Sequence, residues 1–205
     1  MKRSIFSLAL AATVLVAASS AHAALFHLFV NLSGQNEVPA TNSAGIGTAS
    51  FVLDTTAQTL EGHIVFSGLN PLTAGGAPSG TTAAHIHCCL PTPFATGVNV
   101  GVATLVPAFP GFPLGVLSGS DNFLLDLTLA SSYNAGFITA QGGLANAEAA
   151  FIAGLTSGRT YLNIHTTAFG GGEIRGFVVP EPMTASLLAL GLAAAGFASR
   201  RRKRT

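Results

Sequence analysis

Between its two ends this chain carries almost no positive charge. Of its nine Lys and Arg residues, seven are Lys2, Arg3, Arg200, Arg201, Arg202, Lys203 and Arg204, so residues 24–178 contain no Lys and only Arg159 and Arg175. Against these stand Glu37, Asp54, Glu61, Asp121, Asp126, Glu148 and Glu173; two positive and seven negative side chains leave that body at −5 with His neutral. A domain without a basic face cannot neutralise phosphates, which argues against nucleic acid as a partner. Cysteine is nearly as scarce, for Cys88 and Cys89 are the only two and they are adjacent. Neighbouring Cα atoms lie about 3.8 Å apart, whereas ordinary bridges span roughly 4.4–6.8 Å, so a disulfide scaffold is not expected.

Signatures of catalysis are missing too. There is no Gly-x-Ser-x-Gly, and Glu37, Asp54, Asp121 and Glu173 form no evident acid/base pair in the sequence. Gly170-Gly171-Gly172 precedes a strand-like segment rather than a helix, so it reads as a flexible turn and not as a phosphate cradle. Glu173 and Arg175, two apart on that segment, would share a face and form an ion pair worth little if exposed. An enzyme is therefore not expected.

What is present is a sequence built for a packed sheet. Residues 24–178 amount to one domain, and their low charge with abundant apolar residues calls for a core. Period-two alternation predicts strands over Leu25–Leu32, Ile46–Leu53, Thr59–Leu69, Thr82–Cys88, Val98–Leu105, Asn122–Leu129, Thr160–Thr166 and Gly172–Val179, separated by Gly, Pro, Asn and Ser. About eight such segments without a βαβ rhythm predict an all-β fold, an antiparallel sandwich or barrel. Leu144, Ala147, Phe151 and Leu155 recur at helical spacing and predict one short helix, with a second helical turn near Ser132–Thr139, covering an open end. The stretch Pro107–Pro113 holds Phe109 and Phe112 between prolines and either lies on the core or forms an exposed apolar grip.

Ala84-His85-Ile86-His87-Cys88-Cys89 is the segment richest in chemistry. On a strand His85 and His87 share one face and Ile86 points to the other, with Cys89 joining the histidines if the strand continues. Tyr161-Leu162-Asn163-Ile164-His165 repeats the pattern, placing Tyr161, Asn163 and His165 together. Two imidazoles about 7 Å apart along a strand can close on one ion, so His85, His87 and His165 form a candidate copper or zinc site with Cys89 or Cys88 as a soft fourth ligand. The other reading is structural, with hydrogen-bonded histidines holding the sheet together. His63 is a further candidate or a surface residue, and His27 carries little information.

The two ends read as addresses. Met1-Lys2-Arg3, the apolar Ile5–Ala18 and Ala21-His22-Ala23 make a signal peptide with cleavage expected after Ala23 by signal peptidase. At the other end Pro180-Glu181-Pro182 is followed by the uncharged residues 183–199 and by the Arg-rich cluster 200–204. As a helix residues 183–199 would span about 25 Å, slightly short of a hydrocarbon core of about 30 Å, with the cationic end cytoplasmic. That order resembles the PEP-CTERM sorting signal. The resemblance implies processing by an exosortase-type membrane protease, a transient inner-membrane intermediate with its body in the periplasm, and delivery to the cell surface or extracellular matrix.

Three stretches of the body resemble the CHRD domain: Leu32-Ser33-Gly34-Gln35-Asn36-Glu37-Val38-Pro39, Ala84-His85-Ile86-His87, and Tyr161–Thr166 through Gly172-Glu173-Ile174-Arg175-Gly176. Where family members read His-Ile-His-Gly, this chain has Cys88-Cys89. The resemblance implies a β-rich exported module, residues 24–178, with residues 179–205 as the sorting signal. The expected role is non-enzymatic and structural or adhesive, with exopolysaccharide or a surface protein as partner; the alternative is a metal protein, redox active if copper is bound.

Overall fold

The computed structural model describes residues 25–181. The signal peptide 1–23, Pro182, the apolar run 183–199 and the Arg cluster lie outside the described residues. Among the described residues no helix is long and apolar enough to cross a membrane.

The chain forms one antiparallel sheet, curled into a half-barrel, from β1 (Leu25–Ser33), β2 (Ile46–Asp54), β3 (Thr59–Ser67), β4 (Thr81–Cys88), β5 (Gly119–Asp126), β6 (Thr160–Thr166), β7 (Ile174–Phe177) and β8 (Val179–Pro180). Strand order is β4-β6-β7-β1-β2-β3-β5, and β8 adds to β1 beyond the short β7 pairing. The alternation seen in the sequence decides the inner face. Leu28, Val30 and Leu32 of β1 are buried while their neighbours are not, and their counterparts Phe51, Leu60, Ile64 and Phe123 join them in one core. Strand β6 differs, because both of its faces are covered: Leu162 and Ile164 enter the core, and Tyr161 and Asn163 are buried on the opposite side.

Two expected boundaries move for local reasons. The strand predicted from Asn122 to Leu129 ends at Asp126, whose carboxylate accepts from the Thr128 amide at 2.9 Å and the Thr128 hydroxyl at 2.6 Å and so turns the chain. Val98–Leu105 is not a regular strand. It lies along the free edge of β4, but the β4 amides find mixed acceptors there: Ala84 donates to Pro107 O, Ile86 to the Thr104 hydroxyl and Cys88 to Gly101 O. A side-chain oxygen inside that series breaks the ladder, leaving isolated bridges such as His87 to Val102.

The helices are α1 (Ala135–Ala140), whose Asn134 side chain accepts from the Gly136 amide at 2.7 Å, and α2 (Leu144–Thr156). Helix α2 buries Ala147, Phe151 and Leu155, the stripe read from the sequence. The Pro107–Pro113 loop lies on the core: Phe109 stacks on Phe123 with centroids 4.1 Å apart, and Phe112 on Phe66 at 5.3 Å.

The two cysteines bridge each other, which the ordinary Cα spacing of neighbours argued against, without making a disulfide scaffold. Cys88 and Cys89 are joined to each other; the peptide between them is cis and their Cα atoms are 3.0 Å apart, a separation that a trans peptide does not give. Both sulfurs lie against the Ala150 carbonyl of α2. Gly154, one turn further along, leaves room for them, since a Cβ there would stand 2.6 Å from Cys88 Sγ and 3.1 Å from Thr160 Cγ2. In an open helix Gly→Ala gains about 1 kcal/mol, but overpacking of this kind costs about 1–3 kcal/mol. Gly154→Ala is therefore expected to lower the denaturation midpoint of the oxidised protein; a raised midpoint would show that the helix does not meet the cystine.

Candidate metal centre

Pairing of β4 with β6 sets His85 opposite Asn163, His87 opposite Tyr161 and Ala83 opposite His165; β7 continues the rows with Arg175 beside Asn163 and Phe177 beside Tyr161. Because Ala84 and Ile86 of β4 and Leu162 and Ile164 of β6 fill the core, the intervening residues all project to the other face. That face gathers His85, His87 and His165. Ring centroids are 4.9 Å apart for His85 and His87, 4.7 Å for His85 and His165, and 6.3 Å for His87 and His165.

Each ring is held by the same device. Nδ1 of His85 lies 3.3 Å from Pro107 O, Nδ1 of His87 2.7 Å from Val100 O, and Nδ1 of His165 3.0 Å from Gly170 O. A carbonyl only accepts, so Nδ1 carries the proton and donates in all three. The irregular segment after Cys89 supplies two of those carbonyls. Burial lowers His85 to about 3, helped by the neighbouring His87 and His165, and lowers His87 to about 4 against the opposing Val100 carbonyl; burial also lowers His165. The three imidazoles are therefore neutral at pH 7, with Nε2 as a bare lone pair.

Those lone pairs converge. Nε2 of His85 and Nε2 of His165 are 3.0 Å apart, and Nε2 of His87 is buried without a partner. One ring nitrogen from each histidine lies within 4.8 Å of the others. A tetrahedral zinc with bonds of 2.0–2.1 Å needs nitrogens roughly 3.3 Å apart, close to the 3.0 Å of the His85–His165 pair. Cys89 does not join them, since its sulfur is bonded to Cys88 and turned toward Ala150. His63 is on β3, remote in strand order, exposed and paired with Asn122 Oδ1 at 2.8 Å; exposed His27 lies on β1.

Around the histidines sits a second polar set that sequence reasoning did not assign to a site. Tyr161 stacks on His87 with centroids 4.5 Å apart and planes 10° off parallel, and Arg175 lies over the Tyr161 ring at 4.5 Å. The ion pair expected between Glu173 and Arg175 is not formed: both side chains are buried and face different partners. Glu173 accepts from Ser43, Asn70 N–H and Thr166, whereas Arg175 donates to Asn36 O, Val98 O and Asn99 Oδ1. Glu37 and Asn163 are buried nearby, and Glu37 Oε1 and Asn163 Oδ1 are acceptors without donors. Gly172, at φ 126°, closes over them: a Cβ would stand 2.5 Å from Asn163 Nδ2 and 2.7 Å from Glu37 Oε1. Alternation on β6 already aligned Tyr161 and Asn163 with His165, but nothing local announced Glu37, which arrives from a loop far away in sequence.

Burial raises Glu37 to about 7, against the lowering effect of Arg175. Its folded pKa lies above its unfolded one, so the stability it contributes at low pH is lost as pH rises through 7. The histidines have the opposite sign: their folded values lie below 6.5, so the stability held above that pH is lost as it falls toward 4 and 3. The metal-free protein should therefore lose thermal stability from pH 7 to about 4. Glu37→Gln should steepen that loss between pH 7 and 4.5 by removing the opposing contribution; an unchanged or shallower slope would exclude a neutral, buried Glu37.

The CHRD domain family model matches residues 28–178, and the PEP-CTERM protein-sorting motif matches residues 178–203. No curated protein and no solved structure matches the chain. The sorting motif makes this an exported protein processed by an exosortase. The stretches Leu32–Pro39, Ala84–His87 and Tyr161–Gly176, distant in sequence, meet on the histidine face, and with a match over most of its length the chain belongs to the CHRD domain family.

Proposed function

We propose that this exported domain is a metal-binding module that holds one zinc or copper ion on Nε2 of His85, His87 and His165. One observation carries the reading: two Nε2 atoms face each other at 3.0 Å while both Nδ1 atoms are committed to carbonyls. At that distance the two nitrogens share a proton or both ligate one metal ion, and His87 Nε2 is buried without a partner. Neutral imidazoles fixed through Nδ1 to backbone oxygens are the ligand state and outer shell that zinc and copper sites use. Three protein ligands leave a fourth position for water or a small ligand, which is the arrangement of reactive rather than closed sites. Glu37, Asn163 and Arg175 border this face and set its polarity.

The alternative is a structural or adhesive role at the cell surface or in the matrix, with exopolysaccharide or a surface protein as partner. The sorting signal supports that destination, and a metal module delivered there is compatible with it. The gathering of three histidine rings within one cluster favours the metal reading over packing alone.

Protein purified from the exporting host should contain one equivalent of zinc or copper per chain by elemental analysis. His87→Ala should lower the affinity by more than the 10–100-fold that losing an outer-shell partner costs, while His63→Ala leaves it unchanged. Protein that takes up neither metal, or that loses both equally in the two variants, would refute the metal reading and leave the structural one.

A further inference from the structure

Strand register places the backbone of His87 but leaves the plane of its ring open, because the torsion that turns an imidazole about Cβ–Cγ is broad. The three histidines differ in what settles that plane. His85 and His165 face each other with their Nε2 atoms 3.0 Å apart. His87 stands off from that pair, with its ring centroid 6.3 Å from that of His165, and its Nε2 has no partner among the described residues. Its orientation is fixed instead from the face of the ring and from Nδ1.

Tyr161 acts on both. It pairs with His87 across β4 and β6, and its ring lies 4.5 Å from the imidazole and 10° from parallel. Its hydroxyl makes long hydrogen bonds to the N–H and C=O of Val100, at 3.3 and 3.4 Å, and that same carbonyl accepts from His87 Nδ1 at 2.7 Å. The tyrosine is itself held. Strands β4 and β7 flank β6, so its ring packs between His87 and Arg175, whose guanidinium carbon is 4.5 Å from the ring centroid. Arg175 also donates to Val98 O at 3.3 Å and to Asn99 Oδ1 at 2.8 Å, which pins the segment that carries Val100. Neither His85 nor His165 pairs with an aromatic ring across the strands; their partners are Asn163 and Ala83.

We propose that Tyr161, backed by Arg175, is the positioning residue of the metal centre: its ring fixes the plane of His87 and so aims the third Nε2 at the ion. The inference rests on the metal reading above and assigns Tyr161 no contact with the ion. The lone pair of Nε2 lies in the plane of the imidazole. A ring free to turn directs it at the ion for only part of the time, and the apparent affinity falls by that fraction.

The test measures the affinity of the exported protein for zinc and for copper(II) in wild type, Tyr161→Phe, Tyr161→Leu, His87→Ala and the Tyr161→Leu/His87→Ala double variant. Tyr161→Phe keeps the ring and loses only long hydrogen bonds, so it should bind within about threefold of wild type. Tyr161→Leu keeps the site apolar but removes the flat face, and should lose about 10–100-fold, as when a group that orients a ligand is removed. In the His87→Ala background the same change should cost no more than about twofold, because Tyr161 acts through His87. An equal loss in both backgrounds, or full affinity in Tyr161→Leu, overturns the positioning role and leaves the metal site standing; a wild type that binds neither metal overturns both. Should Tyr161→Leu fail to fold, Tyr161→Phe and the metal-free wild type decide. The ring protons of His87 should then resonate upfield of those of exposed His63, displaced by the stacked Tyr161 ring. Unshifted His87 signals, or a loss of about tenfold or more in Tyr161→Phe, would overturn the role.

Discussion

The register of β4 on β6 is the constraint from which the rest of this molecule follows. Side chains alternate with period two, so a slip of β4 by one residue would send His85 and His87 into the core, away from His165, and bring Ile86 out to the polar side. Burying Ala84, Ile86, Leu162 and Ile164 against the rest of the core forbids that slip. The same apolar contacts that stabilise the sheet thus hold the histidines on one face, and the chemistry is positioned by residues that take no part in it.

A face of that polarity would ordinarily be left to solvent, yet here it is covered. The cover consists of irregular segments, the Gly34–Pro39 turn, the Val98–Pro107 edge segment and the Gly170–Gly172 turn, each contributing carbonyls or short side chains. Glu173, next to the Gly170–Gly172 turn, accepts from Ser43, Asn70 and Thr166, and Arg175 ties the Gly34–Pro39 turn and the edge segment to β7 by donating to Asn36, Val98 and Asn99. Buried charges require this degree of satisfaction. Glu37, whose Oε1 has none, resolves its position by holding its proton to about pH 7.

Much of the architecture was legible because alternation survives on one-sided strands. β1, β2 and β3 keep a clean inward and outward pattern, and the stripe Ala147, Phe151, Leu155 marked α2. The histidine triad was legible for the same reason, since His-x-His and His165 fall on predicted strands with apolar partners between them. Val98–Leu105 misled because β-branched residues at an edge resemble a strand even where Thr104 interrupts the ladder. The cystine misled because the distance argument presumes a trans peptide.

The sequence by itself determined that positive charge sits at the termini, that the body is an all-β packed domain, and that histidines line alternate positions of two segments; these are properties of composition and of periods two and 3.6, and they need no knowledge of neighbours. Tertiary structure alone decided that those two segments are adjacent in register, that Glu37, Tyr161, Asn163 and Arg175 surround them, and that Pro180 and Glu181 belong to the sheet. The reason is physical: strand pairing across 80 residues and burial of a loop acid depend on which surfaces exclude water together, and a linear pattern does not encode that partnership.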